Sequence, residues 1–248
     1  MKAIPQDQAV MDHQSNERDV GRRTRRENVT EVALLDGFFN HLSEGFNALS
    51  PPFALSESKT RTLLFATMAY SSLRWAFELM LKGYYTQANA LSRMGMECWV
   101  NSLYLLLYPE RAEAWKEFKT RPKPKEMRGL VADKVAELGV EEADVAKQSM
   151  GAMYGAFSEY VHPNEHALAV LMEDQEDSRR LRLGGAYDRL LFIQSVDYFC
   201  YSAQVVSSLM SGLLPNGKRG DLESQGESLN EKLVEWRENL PSLVDSLT

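Results

Sequence analysis

The sequence has few cysteines and prolines, no excess of positive charge and no uninterrupted hydrophobic run of membrane-spanning length. Its two cysteines, Cys98 and Cys200, lie in apolar surroundings without Cys-x-x-Cys or Cys/His spacing. That excludes a disulfide framework and fits buried thiols in a reducing compartment. The longest stretch without charge, Tyr198 to Gly217, is broken by Ser202, Gln204, Ser207, Ser208, Ser211 and Asn216. It reads as a central core helix, and no membrane association is expected. Met1 to Gln14 is polar and has no apolar run of signal-peptide character, so the expected location is the cytoplasm. A formal net charge of −7 excludes a protein dominated by non-specific nucleic-acid binding, because neutralising phosphates requires clustered Lys and Arg.

Local basic clusters do occur. Arg18, Arg22, Arg23, Arg25 and Arg26 form one, and Arg179, Arg180 and Arg182 another. Between them lie Lys116, Lys119, Arg121, Lys123, Lys125 and Arg128, and from this cluster Lys119, Arg121, Lys123, Lys125 and Arg128 are the candidate nucleic-acid contacts. The plain reading of each cluster is a solvated charged surface or tail.

The 248 residues are 44% hydrophobic, enough for a sizeable core, and the apolar positions recur with helical period. Residues 1–27 lack that period and carry dense mixed charge, which predicts a flexible charged tail before a single helical-bundle domain over 28–248. Val32, Leu35, Phe38, Phe39, Leu42, Phe46 and Leu49 predict an amphipathic helix that stops at Ser50-Pro51-Pro52. Two helices follow, from about residue 58 to Lys82 and from Thr86 to Tyr108. Gly83 offers a left-handed end, and the short link requires an antiparallel hairpin. Both helices are apolar around most of their circumference, the signature of buried central helices. A shorter helix is expected over 110–119, further helices over 125–138 and 141–161, a long one over 186–214 and a last amphipathic one over 222–239. Ser178 to Leu183 alternates Arg with Leu and admits one short β element near 178–183. The fold expected is all-α, an irregular helical bundle around the central hairpin.

Polar residues interrupt the two most apolar helices. Thr67, Ser71, Arg74 and Glu78 form a narrow stripe on one, and Asn89, Arg93, Glu97 and Asn101 on the other. Each stripe contains Arg-x-x-x-Glu. If the hairpin turns near Tyr84, Glu97 stands within a turn of Arg74 and Glu78 within a turn of Arg93, so the stripes are expected to face each other in crossed ion pairs. Charges in such a setting cost several kcal/mol unless paired. The pairs are either structural or the lining of a ligand or catalytic pocket.

A second constellation is Tyr154, Ser158 and His162, spaced by four along a helix that ends before Pro163. A helix-end imidazole suits a general base or an anion ligand, and equally an ordinary cap. Glu159-x-x-His162 has the spacing of a di-iron helix, but it has no second copy, so no metal and no cofactor is expected. No P-loop, dinucleotide-binding glycine motif or nucleophile elbow accompanies Ser158.

Taken together, Arg74-Trp75-Ala76-Phe77-Glu78-Leu79, Gly83-Tyr84-Tyr85, Ala90-Leu91-Ser92-Arg93, Glu97, Tyr154, Ser158 and His162-Pro163 resemble uncharacterised bacterial helical proteins related to the HEPN superfamily. The likeness covers roughly residues 58 to 214. It implies a helical-bundle, metal-independent ribonuclease or RNA- or nucleotide-binding protein of toxin–antitoxin or antiphage systems, often dimeric. Arg93 would then hold phosphate and His162 act as base, with Glu97 and Ser158 orienting them. The superfamily's ribonucleases carry Arg and His four to six residues apart on one segment, whereas the nearest Arg before His162 is Arg128. A non-catalytic interaction or scaffold protein with a protein partner and a structural Arg/Glu network is the alternative.

Overall fold

The computed structural model describes residues 6–48, 57–111, 122–137, 151, 155, 172–175, 178–181, 185–213 and 216–245. Over these the fold is all-α. The helices are α1 (Gln6–Glu27), α2 (Val29–Ala48), α3 (Glu57–Leu81), α4 (Tyr85–Leu107), α5 (Pro124–Glu137), α6 (Arg189–Leu213) and α7 (Asn216–Asp245), with a 3-10 turn at Pro109–Arg111. The expected β element is one arm of a small antiparallel hairpin, β1 (Met172–Gln175) with β2 (Ser178–Leu181), in which Met172 stands opposite Leu181 and Gln175 opposite Ser178. Of the helix expected over 141–161 only residues 151 and 155 are described, both helical, and all but the start of the one over 110–119 lies outside the described residues. No helix among the described residues is long and apolar enough to cross a membrane.

The α3–α4 hairpin forms as its sequence requires. Gly83 sits at φ 80°, which a side chain would disfavour. Around it Tyr84 N donates to Leu79 O (2.9 Å) and Gly83 N to Met80 O (3.1 Å), closing the Schellman pattern that satisfies the last carbonyls of α3. The turn is then held from outside. Ala186 N donates to Gly83 O (3.2 Å), and a Cβ on Gly185 would stand 1.8 Å from Lys82 O, so only glycine admits this approach. Along the hairpin α3 and α4 meet through small residues: a Cβ on Gly95 would lie 3.2 Å from Leu73 Cγ and 3.3 Å from Ala69 O. Ser102 Oγ on α4 donates to Thr62 O on α3 (2.8 Å).

The rest of the bundle is built on α6, whose Phe192, Val196, Phe199, Cys200 and Ala203 are fully enclosed. It packs on α2, α3, α4 and α7. From α2 come Leu35, Phe38 and Leu42, from α3 Leu73 and Met80, and from α7 Leu233, all nearly inaccessible to solvent. Burying side chains of this size contributes roughly 1.5–3 kcal/mol each. The last helix is longer than expected at both ends and runs through Pro241.

The segment read as a tail departs from that expectation: Gln6–Glu27 is helical. Its inner face, Val20, Thr24 and then Asn28 at intervals of four, is buried but largely polar. Asn28 Nδ2 donates to Thr24 O (2.9 Å) and Tyr187 Oη (3.1 Å), Asn16 Nδ2 to Gly185 O (3.0 Å), and Tyr84 Oη to Glu17 Oε1 (2.8 Å). Arg23 stacks 4.3 Å from the Tyr187 ring centre. A helix docked through hydrogen bonds leaves no apolar period to read.

Candidate functional site

The helix α4 carries Arg93 and Glu97 one turn apart, and the two bond to each other. Arg93 Nε donates to Glu97 Oε1 at 3.1 Å, with the Arg93 side chain only 12% exposed and that of Glu97 39% exposed. The pair therefore lies at the edge of the core, guanidinium inward and carboxylate outward. Beside it the Cys98 thiol is pushed up to about 11, first by burial and then by the Glu97 charge, which makes it an inert core thiol.

The partner stripe on α3 is not where its sequence placed it. Thr67, Ser71, Arg74 and Glu78 are all exposed. The side of α3 that meets α4 and the core carries Ala66, Ala69, Leu73, Ala76, Phe77 and Met80, more than a quarter-turn away on the helix. The facing stripes and their crossed ion pairs are thus corrected: the small Ala/Gly surface lets the two helices approach too closely to leave room for long charged side chains between them. Nor is α3 buried all round, since Leu64, Met68 and Trp75 (62% exposed) also point outwards.

Of the other candidates, Ser158 and His162 lie outside the described residues, as do Lys119 and Arg121. Convergence of Arg93 with His162 is therefore not among the described geometry. Lys123 and Lys125 are exposed at the start of α5, and Arg128 on the next turn is half-buried. The helix begins at Pro124, where a missing N–H costs nothing. No group of three or more His, Cys, Asp or Glu side chains suited to a metal ion occurs among the described residues.

Two polar constellations escaped the sequence reading, and both begin on α2. His41 is buried where α2 meets α6 and α7. Its Nε2 is hydrogen-bonded to Ser207 Oγ of α6, and a Cβ on Gly226 of α7 would stand 3.3 Å from the same nitrogen. Burial holds the imidazole below its ordinary pKa, partly offset by the Gln225 side chain and the Glu44 charge.

The second constellation is a groove of about 780 Å³ between α2 and α7. Val29, Ala33, Leu34, Leu229 and the Trp236 ring provide apolar walls, and Thr30, Lys232, Glu235 and Asn239 are polar lining groups. Glu31 also lines it, although the residue is only 6% exposed. Trp236 Nε1 donates to Glu31 Oε1 at 3.2 Å. The signal for both constellations was present: Glu31 heads the series Glu31, Leu35, Phe38, Leu42, and His41 belongs to Leu34, Phe38, His41, Gly45, so each occupies a core-facing position.

Comparison of the chain with protein-family models, with curated proteins and with solved structures finds no match in any of the three.

Proposed function

We propose that this is a non-catalytic helical binding protein in which Arg93 and Glu97 serve the fold. The supporting observation is the state of Arg93: its guanidinium is largely enclosed and its Nε is held by Glu97 on the same helix. A cation recruited to stabilise a developing phosphorane must instead be aimed at the reacting phosphate. The exposed Arg74 and Glu78 give it no facing partner stripe from which a pocket would be assembled.

The second reading is a HEPN-like protein that binds or cleaves RNA in a bacterial defence or toxin-like role. It draws on the sequence resemblance and on Lys123 and Lys125, which are exposed beside Arg128. Its site would be Arg93, Glu97, Ser158 and His162, with RNA or a nucleotide as partner and a homodimer as the working unit.

One experiment separates the two. Purified wild type, Arg93→Ala and His162→Ala, each verified as folded by circular dichroism, are incubated with total cellular RNA with and without a chelator. The binding-protein reading expects RNA of unchanged length in every lane. Chelator-resistant cleavage by wild type that disappears in both variants overturns it and establishes the second reading.

A further inference from the structure

The groove between α2 and α7 holds a buried acid in an apolar setting. Glu31 is 94% removed from solvent, and its partner among the described residues is the neutral indole N–H of Trp236. An ionised carboxylate so enclosed costs several kcal/mol unless a positive charge compensates it. Lys232 and Glu235 both line the groove, and no ion pair joins Lys232 to Glu31 among the described residues. The ionisable side chains that line the groove are thus two acids, Glu31 and Glu235, and one base, Lys232, within a protein of net charge −7.

From this we infer that the groove binds a small organic cation, an ammonium group attached to an apolar body. The ammonium would sit against Glu31, and the body along Val29, Ala33, Leu34 and Leu229. The Trp236 ring adds an aromatic wall, the usual companion of organic ammonium groups because its π-face attracts positive charge. The volume, about 780 Å³, lies in the range of small-molecule sites, roughly 300–1,000 Å³. A divalent metal fits the chemistry less well: calcium and magnesium want several oxygen ligands, and among the described residues no group of three or more His, Cys, Asp or Glu side chains is placed to hold one. The site is lined by different helices from those bearing Arg93 and Glu97, so it stands whether or not the protein also handles RNA.

The test is isothermal titration of the full-length protein with benzyltrimethylammonium and phenethylamine, and with 2-phenylethanol as the uncharged analogue. Saturable binding of at least one cation is expected with a Kd below about 1 mM, and none of the alcohol in that range. Glu31→Gln keeps an acceptor for the Trp236 indole and removes the charge; it should weaken the cation by about tenfold or more. Val29→Lys, at an exposed position on the groove wall, should weaken it without touching the core, which covers the case in which Glu31→Gln fails to fold. Absence of saturable binding by both cations, equal affinity for the alcohol, or folded variants of undiminished affinity would each overturn the assignment.

Discussion

Arg74-x-x-x-Glu78 and Arg93-x-x-x-Glu97 share one spacing, lie on consecutive helices of one hairpin and meet opposite fates. The α3 copy is exposed at both residues, while the α4 copy draws its Arg into the edge of the core and bonds it to its own Glu. The motif is the same, so the difference arises from what surrounds it. The outer side of α3 faces solvent, whereas α4 is enclosed by α3, α5 and α6 and keeps only a narrow open side. An identical pair is thus an ordinary surface feature on one helix and a partly desolvated interaction on the other, and only desolvation makes such pairs count for much.

The largest effect that bears on this contrast is on the contact that sets it. Leu73 is fully buried and touches the position of Gly95, so it holds the inner side of α3 against α4. Leu73→Ala should destabilise the protein by about 2–5 kcal/mol, read as a lowered urea midpoint. A loss below about 1 kcal/mol would mean that the hairpin contact is not what orients α3.

A third Arg–carboxylate pair calibrates the comparison at intermediate exposure. Arg237 Nε on α7 donates to Asp197 Oδ1 on α6 at 2.6 Å, with about a third of each side chain exposed. Asp197→Ala should cost about 1 kcal/mol, and raising the salt concentration should narrow the gap to wild type.

A smaller effect concerns His41. Its folded pKa is depressed by burial, so below about pH 6.5 the unfolded chain takes up a proton that the folded protein refuses. Stability should therefore fall as pH drops from about 6.5 towards the folded pKa, and become flat in this term beneath it. Thermal unfolding between about pH 7.5 and 5.5 should show a shallower slope for His41→Gln than for wild type. Parallel slopes would remove His41 as a contributor.

The hairpin, its Gly83 turn and the central α6 were legible because each rests on a strong local signal: a left-handed glycine next to two long apolar runs, or one long uncharged run. The orientation of α3 was not. Leu64, Met68 and Trp75 are apolar yet exposed, so the sequence shows hydrophobic residues around most of the helix and hides which side meets the core. The helix α1 was missed for the converse reason, because Asn16, Glu17 and the adjoining Asn28 dock it through hydrogen bonds that leave no hydrophobic period. Of the candidate site, i,i+4 spacing put Arg93 and Glu97 on one face of α4, but the ion pair forms within that helix and not across to Arg74 and Glu78. Glu31 and His41 passed unnoticed inside the amphipathic pattern of α2, where a single polar residue hardly alters the period.

The most direct measurement is a pair of double-mutant cycles by urea unfolding, one on Arg93 and Glu97 and the other on Arg74 and Glu78, using alanine throughout. The inner pair should show a coupling of about 1 kcal/mol or more and the outer pair less than about 0.5 kcal/mol. Equal couplings, or a stronger one on α3, would contradict the claim that burial alone divides two identical motifs.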